Sequence, residues 1–292
     1  MADTANPGTP PAGPETTGHE WDGIAEYNNP LPRWWLYGLY ATIIWAFGYW
    51  IAYPAWPLVS GYTGGLLGYS QRATVLGEVA AVRRERDARG QAQLASAAVA
   101  EIRADPALLR LALATGKAAF GDNCAGCHGS AATGRQGYPN LQDDEWLWGG
   151  TAEAIERTIR FGARSGHGEA HVGDMPAFGR DGILTRAEVE AVASYVLSLS
   201  GKPGVAGAKP DKGAEVFAGN CAGCHGEAGK GNPEMGAPNL SDAIWLYGSA
   251  PEQVVATVTN GRKGVMPAWE GRLDPATIKS LAVYVHSLGG GK

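Results

Sequence analysis

The pentapeptide Cys-Ala-Gly-Cys-His occurs twice in this chain, and its two copies use all four cysteines. One copy runs from Cys124 to His128 and the other from Cys221 to His225. Cys-x-x-Cys-His is the attachment motif of c-type haem, in which two thiols bond to the porphyrin edge and the histidine binds the iron. We therefore predict two covalently bound haem c groups, attached through Cys124, Cys127, Cys221 and Cys224.

Paired cysteines serve other chemistry at other spacings. Zinc ribbons keep their two Cys-x-x-Cys pairs about 15–20 residues apart, and the gap between Cys127 and Cys221 is far longer. A thioredoxin-like redox motif belongs in a βαβ pattern, which the sequence does not display. A disulfide within each pair would leave the following histidine unexplained twice.

Composition narrows the class of partner and the compartment. The formal net charge is −5, and no Lys/Arg-rich run with interleaved aromatics occurs, so nucleic acid is not a predicted partner. The 43 glycines suit small, loop-rich domains in which the haem itself fills the core. Because haem is normally attached covalently outside the cytoplasm, we expect these domains on the periplasmic side of a bacterial membrane.

The N-terminal part is predicted to anchor the chain. Residues 1–32 form a tail and a polar lead-in, with disorder expected over 1–20. Residues 33–58 form a predicted transmembrane helix, because about 20 dense apolar residues match the ~30 Å core of a bilayer. Aromatic residues at both ends are typical of membrane interfaces, and Pro54 and Pro57 end the helix.

We expect a single pass through the bacterial inner membrane, with the N-terminus cytoplasmic and the haem domains periplasmic. The arginine count, taken alone, would favour the opposite orientation. Most of those arginines lie near or beyond the range over which the positive-inside rule acts, and long domains translocate largely regardless of charge.

The rest of the chain is predicted to be helical. Residues 59–108 form a stalk or linker, of which 73–105 are Ala-, Glu- and Arg-rich and are interrupted by Gly90. Residues 109–200 and 208–292 form two cytochrome c domains. The predicted fold class is all-α, with one N-terminal transmembrane helix followed by two tandem class I cytochrome c domains.

An internal repeat supports the two domains, and each copy ends in a helix with an apolar face. The matching segments of the two copies are Gly116-x-x-x-Phe120 and Gly213-x-x-x-Phe217, Pro139-Asn-Leu141 and Pro238-Asn-Leu240, Trp146-Leu-Trp-Gly149 and Trp245-Leu-Tyr-Gly248, Met175-Pro-Ala-Phe178 and Met266-Pro-Ala-Trp269, and Tyr195-Val196 and Tyr284-Val285. The predicted core faces are Val189, Val192, Val196 and Leu199, and Ile278, Leu281, Val285 and Leu288.

The second axial ligand of each iron decides what the haem can do. His128 and His225 supply one ligand, and Met175 and Met266, each in a repeated Met-Pro-Ala frame, are the predicted others. A methionine closes the sixth position and favours an electron carrier over a catalytic haem.

Four other residues have a possible part in these sites. His167 and His171 are rival ligands in the loop before Met175, although a surface role is the better interpretation. A carbonyl from Pro139 and from Pro238 is a candidate acceptor for each ligand histidine, with an ordinary turn proline equally compatible.

The segment Asp-Gly-Ile-Ala-Glu-Tyr-Asn-Asn-Pro-Leu-Pro-Arg-Trp-Trp (22–35), one membrane helix and two cytochrome c domains together resemble the dihaem subunits, CcoP or FixP, of cbb3-type cytochrome c oxidases. The resemblance covers nearly the whole chain beyond residue 20. It implies a subunit without a catalytic centre of its own. Such a subunit accepts electrons from a donor cytochrome c and passes them towards the monohaem subunit and the catalytic haem–copper subunit, which reduces oxygen and pumps protons.

The resemblance also bears on the pairing of ligands. It allows Met266 to serve the haem of His128 and Met175 that of His225, whereas chain order favours pairing within each repeat, which is our expectation. Other functions stay open: a membrane dihaem cytochrome serving another dehydrogenase or reductase, a dihaem peroxidase, and a haem-based gas sensor.

Overall fold

The computed structural model describes residues 15–291, and the chain divides into the units Met1–Ala81 and Val82–Lys292. The first unit holds two small antiparallel hairpins and one long helix. Of the predicted disordered tail, residues 1–14 lie outside the described part, whereas Thr16 onwards belongs to a strand. The elements of this unit are β1 (Thr16–Trp21), β2 (Ile24–Tyr27), α1 (Arg33–Ala52), β3 (Pro57–Leu58) and β4 (Gly61–Tyr62).

The hairpin β1–β2 is absent from the all-α prediction, which is wrong for this segment. Asp22 and Gly23 join the strands, and both have positive φ, 51° and 84°. An Asp-Gly pair with two left-handed residues is a preferred two-residue hairpin connection. The polar lead-in therefore contains a strand signal that its turn-like composition conceals.

Helix α1 occupies most of the predicted transmembrane segment, and none of its residues is buried. Seven of its 20 residues are Trp or Tyr, whose rings carry polar N–H and O–H groups. Within residues 15–291, no helix combines the length and the apolar character needed to cross a bilayer. The transmembrane helix predicted at 33–58 is therefore not supported.

The second unit is built of helices, as the sequence predicts. The helical composition predicted for 73–105 is confirmed, with a kink within Asp87–Gln91, where Gly90 has the non-helical φ of 107°. Helix α2 begins in the first unit and ends in the second. The helices are α2 (Gln71–Arg86), α3 (Ala92–Ser96), α4 (Val99–Ala104), α5 (Pro106–Asn123), α6 (Ala125–His128), α7 (Ala152–Phe161), α8 (Arg186–Leu199), α9 (Pro210–Asn220), α10 (Ala222–His225), α11 (Pro251–Asn260) and α12 (Pro275–His286).

The two repeats exchange their last helices. Helix α12, which ends the second repeat, packs on α5 and α7 of the first, while α8, which ends the first repeat, packs on α9 and α11 of the second. The predicted core faces are confirmed, because Val192 and Leu281 are fully buried at the centres of α8 and α12. Each apolar core therefore combines residues of both repeats.

Paired glycines allow the exchanged helices to touch. A Cβ on Gly116 in α5 would lie 2.2 Å from the Ser280 carbonyl oxygen, and one on Gly213 in α9 would lie 2.1 Å from that of Ala191. One turn further along, Phe120 meets Tyr284 with ring centroids 5.6 Å apart. The repeated Gly-x-x-x-Phe motif is thus the contact surface for the last helix of the other repeat.

Helices α3 and α4 form a strap over one of these two helix pairs. Leu94 and Ile102 are completely buried in a cluster with residues of α5 and α12. Lys279 on α12 donates hydrogen bonds from Nζ to the carbonyl oxygens of Ala95 and Ala97, at 2.8 and 2.6 Å. Part of the predicted stalk therefore packs against the core.

Candidate haem-binding sites

Each Cys-x-x-Cys-His motif forms one short helical turn, α6 or α10, directly after a longer helix. The amide of His128 donates to the Cys124 carbonyl at 3.0 Å, and that of His225 to the Cys221 carbonyl at 2.9 Å. Gly129 ends the first turn with φ 80°, a left-handed conformation that glycine adopts without strain. The motif is therefore shaped by its own backbone, with both thiols and the imidazole on one turn.

A proline carbonyl orients each of the two histidines. Nδ1 of His128 donates to the Pro139 carbonyl at 3.0 Å, and Nδ1 of His225 donates to the Pro238 carbonyl at 3.0 Å. This confirms the two acceptors suggested by the repeat. A hydrogen bond at Nδ1 fixes the tautomer in which Nε2 carries a lone pair for a metal.

Burial keeps these side chains in their neutral forms. It lowers the pKa of His128 and His225, against a smaller opposite effect of the proline carbonyls. Burial, and then the neighbouring Cys127, raises the pKa of Cys124 to about 11, and Cys221 is raised equally beside Cys224. At neutral pH the Cys124 and Cys221 thiols are therefore protonated.

The methionine loops cross between the repeats. Met266 and Ala163 exchange two backbone hydrogen bonds of 2.9 and 3.0 Å, and Met175 and Arg262 exchange two of 3.0 and 3.1 Å. Met266 packs on the apolar cluster that also holds Cys124, and Met175 packs on the cluster that holds Cys221. Chain order favours pairing each methionine with the haem motif of its own repeat. The packing instead places each methionine beside the haem motif of the other repeat.

Glycine is required where each crossing begins. Gly162 and Gly261 have φ 75° and 68°, and a Cβ on either would lie 2.3 Å from the carbonyl oxygen of the methionine it faces. Those methionines are Met266 for Gly162 and Met175 for Gly261. The two crossings thus repeat one backbone geometry, as expected for copies of a single unit.

The rival histidines have other partners. His171 stacks on Trp148 with centroids 4.3 Å apart, and its Nε2 lies 3.1 Å from the Thr158 hydroxyl. Nε2 of His167 lies 3.2 Å from a Glu270 carboxylate oxygen. Both side chains are partly buried, and these contacts engage each imidazole with a partner other than a haem motif.

Two aromatic residues reach across to the opposite haem motif. Trp148 of the first repeat lies against Gly236, in the loop after His225. Tyr247 of the second repeat lies against Gly137, in the loop after His128. Their matching places in the repeat were visible in the sequence, but only the exchanged packing reveals that each contacts the other copy.

A pair of carboxyl groups also joins the repeats. Burial, followed by the neighbouring Asp242, raises the pKa of Glu145 from 4.5 to about 7. Oδ2 of Asp242 is buried without a hydrogen-bond partner. A proton on Glu145 would supply that partner, since two ionised carboxylates can only accept. Nothing in the sequence had drawn attention to this pair.

Family models match three consecutive parts of the chain. Residues 13–60 match the N-terminal domain of cytochrome oxidase-cbb3, FixP. Residues 113–200 match cytochrome c, and residues 208–285 match cytochrome c oxidase, cbb3-type, subunit III.

Full-length relatives are similar over almost the whole chain. The cbb3-type cytochrome c oxidase subunit FixP of Bradyrhizobium diazoefficiens is 60% identical over 281 residues, covering 96% of this chain and 97% of the relative. FixP of Azorhizobium caulinodans is 59% identical, covering 96% and 94%. The subunit CcoP of Cereibacter sphaeroides is 52% identical over 283 residues, covering 97% of each. This chain therefore belongs to the FixP/CcoP family of cbb3-type cytochrome c oxidase subunits.

Proposed function

We propose that this chain is the electron-transfer subunit of a cbb3-type oxidase and carries electrons from a donor cytochrome c towards the subunits that reduce oxygen. The observation that carries this proposal is the duplicated haem-motif turn, each copy with a carbonyl-oriented histidine and a methionine on the same apolar cluster as its cysteine. The similarity to FixP and CcoP subunits over nearly the full chain supports it.

The residues present fit two covalently bound haem c groups. Cys124 and Cys127 would hold one, and Cys221 and Cys224 the other. Haem c supplies an iron centre that gains and loses one electron reversibly. The protein would hold that iron in one coordination state and exclude water from it. The buried His225 and the largely buried His128 suit this role, because burial favours the neutral imidazole that can bind a metal.

For the second axial ligands we propose the crossed pairing. Met266 would complete the site of His128, and Met175 that of His225. The support is the placement of each methionine on the other repeat's cluster and its backbone pairing with that repeat. A thioether at both irons would leave no open position for peroxide or a gas, which favours a carrier over a peroxidase or sensor.

We further propose where the subunit works. The haem domains would lie on the periplasmic side of the bacterial inner membrane, beside the monohaem and catalytic haem–copper subunits. The support for attachment at the membrane is α1, whose Trp34, Ile44 and Trp45 side chains are about 70% exposed. A contiguous apolar surface of this kind is unusual unless lipid or protein covers it.

The test uses the purified holoprotein alone and within its membrane complex. Reduced with a donor cytochrome c and exposed to oxygen, the isolated chain should reoxidise slowly, whereas both of its haems should reoxidise rapidly in the complex. Copurification with a haem–copper subunit should accompany this. Rapid oxygen or peroxide turnover by the isolated chain, or copurification with a different dehydrogenase or reductase, would contradict the proposal.

A further inference from the structure

One arginine joins the two loops that carry the methionines. The guanidinium of Arg164 donates from Nε to the Gly264 carbonyl at 2.5 Å and from Nη1 to the Gly173 carbonyl. Gly264 stands two residues before Met266, and Gly173 stands two residues before Met175. One planar guanidinium therefore binds both loops, and in each loop it binds the carbonyl two residues before the methionine.

The backbone of Arg164 is constrained in a way that aims this side chain. Its φ is 53°, in the left-handed region that a non-glycine residue adopts only with strain. It follows Ala163, which pairs with Met266, and its own amide donates to the His171 carbonyl at 2.6 Å. Such strain persists only where the surroundings hold it, and it is concentrated at functional sites.

The same guanidinium is also packed against an aromatic ring. Its carbon lies 5.7 Å from the centroid of Trp148, and the Arg164 side chain is half-buried. Stacking and a forked pair of hydrogen bonds together suit arginine and exclude lysine, which offers a point charge without a planar fork.

The matching position of the second repeat carries no such forked pair of hydrogen bonds. The residue that follows its crossing pair is Lys263, and its Nζ makes an ion pair with Asp174 at 3.4 Å. That lysine side chain is 71% exposed, and ion pairs of this kind contribute little to stability. Arg164 therefore acts for both loops, while Lys263 provides a matched cation that does not.

We propose that Arg164 is a positioning residue that fixes both methionine loops at once and so couples the axial ligation of the two haem sites. The inference rests on the proposed function, specifically on methionine ligation of both irons. Because one fork holds both loops, its loss loosens both sulfur–iron contacts together.

The test compares Arg164→Lys and Arg164→Gly with Lys263→Gln in full-length holoprotein. Arg164→Gly removes the fork but suits the positive φ, so it keeps the fold accessible. In both Arg164 variants the sulfur-to-iron charge-transfer band should weaken at both haems and both midpoint potentials should fall, with covalent haem content unchanged. Lys263→Gln should match wild type. A change at one haem only, or at neither, overturns the inference.

Two reference variants separate this inference from the ligation on which it rests. Met175→Ala and Met266→Ala should each abolish the band at one haem. If neither variant loses a band, the proposed methionine ligation is wrong. If each variant loses one band but the Arg164 variants keep both bands, only the positioning role of Arg164 is wrong.

A measurement on wild type covers the case in which the Arg164 variants do not fold. With rising urea, both bands should disappear in one shared transition before global unfolding. Two separate transitions would overturn the coupling.

Discussion

His128 and His225 are each held by one hydrogen bond to a proline carbonyl, and this contact determines which ring nitrogen is free to bind iron. Pro139 and Pro238 were candidates for this role because each stands in the loop after a haem motif, where small cytochromes c often have such a proline. No comparable sign pointed to Arg164, since the matching residue of the second repeat is a lysine with a different partner. The proline contact, which both repeats make, was therefore open to prediction, whereas the Arg164 contact, which one repeat makes, was not.

The crossed methionine pairing can be tested with chains that carry one haem. In a chain with Cys124→Ser and Cys127→Ser, only the haem of Cys221 and Cys224 remains. Its sulfur-to-iron band should be lost on Met175→Ala and kept on Met266→Ala, because Met175 packs on the Cys221 cluster. Optical spectra of the oxidised protein give the measurement. The reverse pattern would establish pairing within each repeat.

The carboxyl pair of Glu145 and Asp242 predicts a pH-dependent contribution to stability. The pKa of Glu145 is raised to about 7 in the folded chain, so the folded state retains a proton that the unfolded state releases near 4.5. Because the folded state holds this proton more tightly, protonation of Glu145 stabilises the fold. The stabilisation is fully present below pH 4.5 and is lost as pH rises through 7. Glu145→Gln mimics the protonated form and should remove that loss.

Urea unfolding of the holoprotein at pH 5 and pH 8 provides the measurement. The stability difference between Glu145→Gln and wild type should grow in favour of the variant, by on the order of 1 kcal/mol, between pH 5 and pH 8. This figure is discounted for solvent screening because the carboxyl is only partly buried. Glu227→Gln, an exposed change in the second repeat, is the control. If the stability difference is the same at both pH values, Glu145 and Asp242 make no pH-dependent contribution to stability.

Among the elements, the exchanged helix pairs depend on glycine at one point of each crossing. In Gly116→Ala the new Cβ would fall 2.2 Å from the Ser280 carbonyl oxygen, so α5 and α12 must separate. Overpacking of this kind costs about 1–3 kcal/mol, which outweighs the roughly 1 kcal/mol that alanine adds in helix propensity. Thermal unfolding of the holoprotein should show a clear fall in Tm.

Gly121→Ala on the same helix is the matched control. Nothing lies within 4 Å of a Cβ at that position, so the variant should be neutral or slightly more stable. Equal Tm values for the two variants would contradict the close crossing of α5 and α12.

The helices themselves, their apolar faces and the repeat could be read from the sequence, but the exchange could not. The two copies present the same glycine and aromatic positions and equivalent apolar faces, so the sequence pattern allows α5 to accept the last helix of either repeat. Which one it accepts depends on the path of the chain at Gly162 and Gly261, a property of the backbone that composition does not record. The transmembrane helix expected at 33–58 is the one element for which the described residues offer no support.

For the molecule as a whole, the exchanged helices α8 and α12 hold the two haem domains together. The covalent linker between the repeats is not needed for this. Helix α8 is bound to α9, and α12 is bound to α5, on either side of that linker. A protease site inserted between the exposed Ala206 and Gly207 should therefore be cut without consequence. The two fragments should comigrate in size-exclusion chromatography with unchanged optical spectra until denaturant is added.

Fragments cut at the linker that separate in native buffer would show that each repeat closes on itself. Retention of both fragments, with both haem spectra intact, is the outcome that the exchanged packing requires.

The crossed loops also set an order of events during biogenesis. Met175 precedes the second haem motif along the chain, whereas Met266 and α12 follow it. Domains of a nascent chain generally mature from the N-terminus onwards, but here the first motif must wait for the last helix. The haem attached nearer the N-terminus is thus the one whose pocket closes last, and a chain that stops early exposes it.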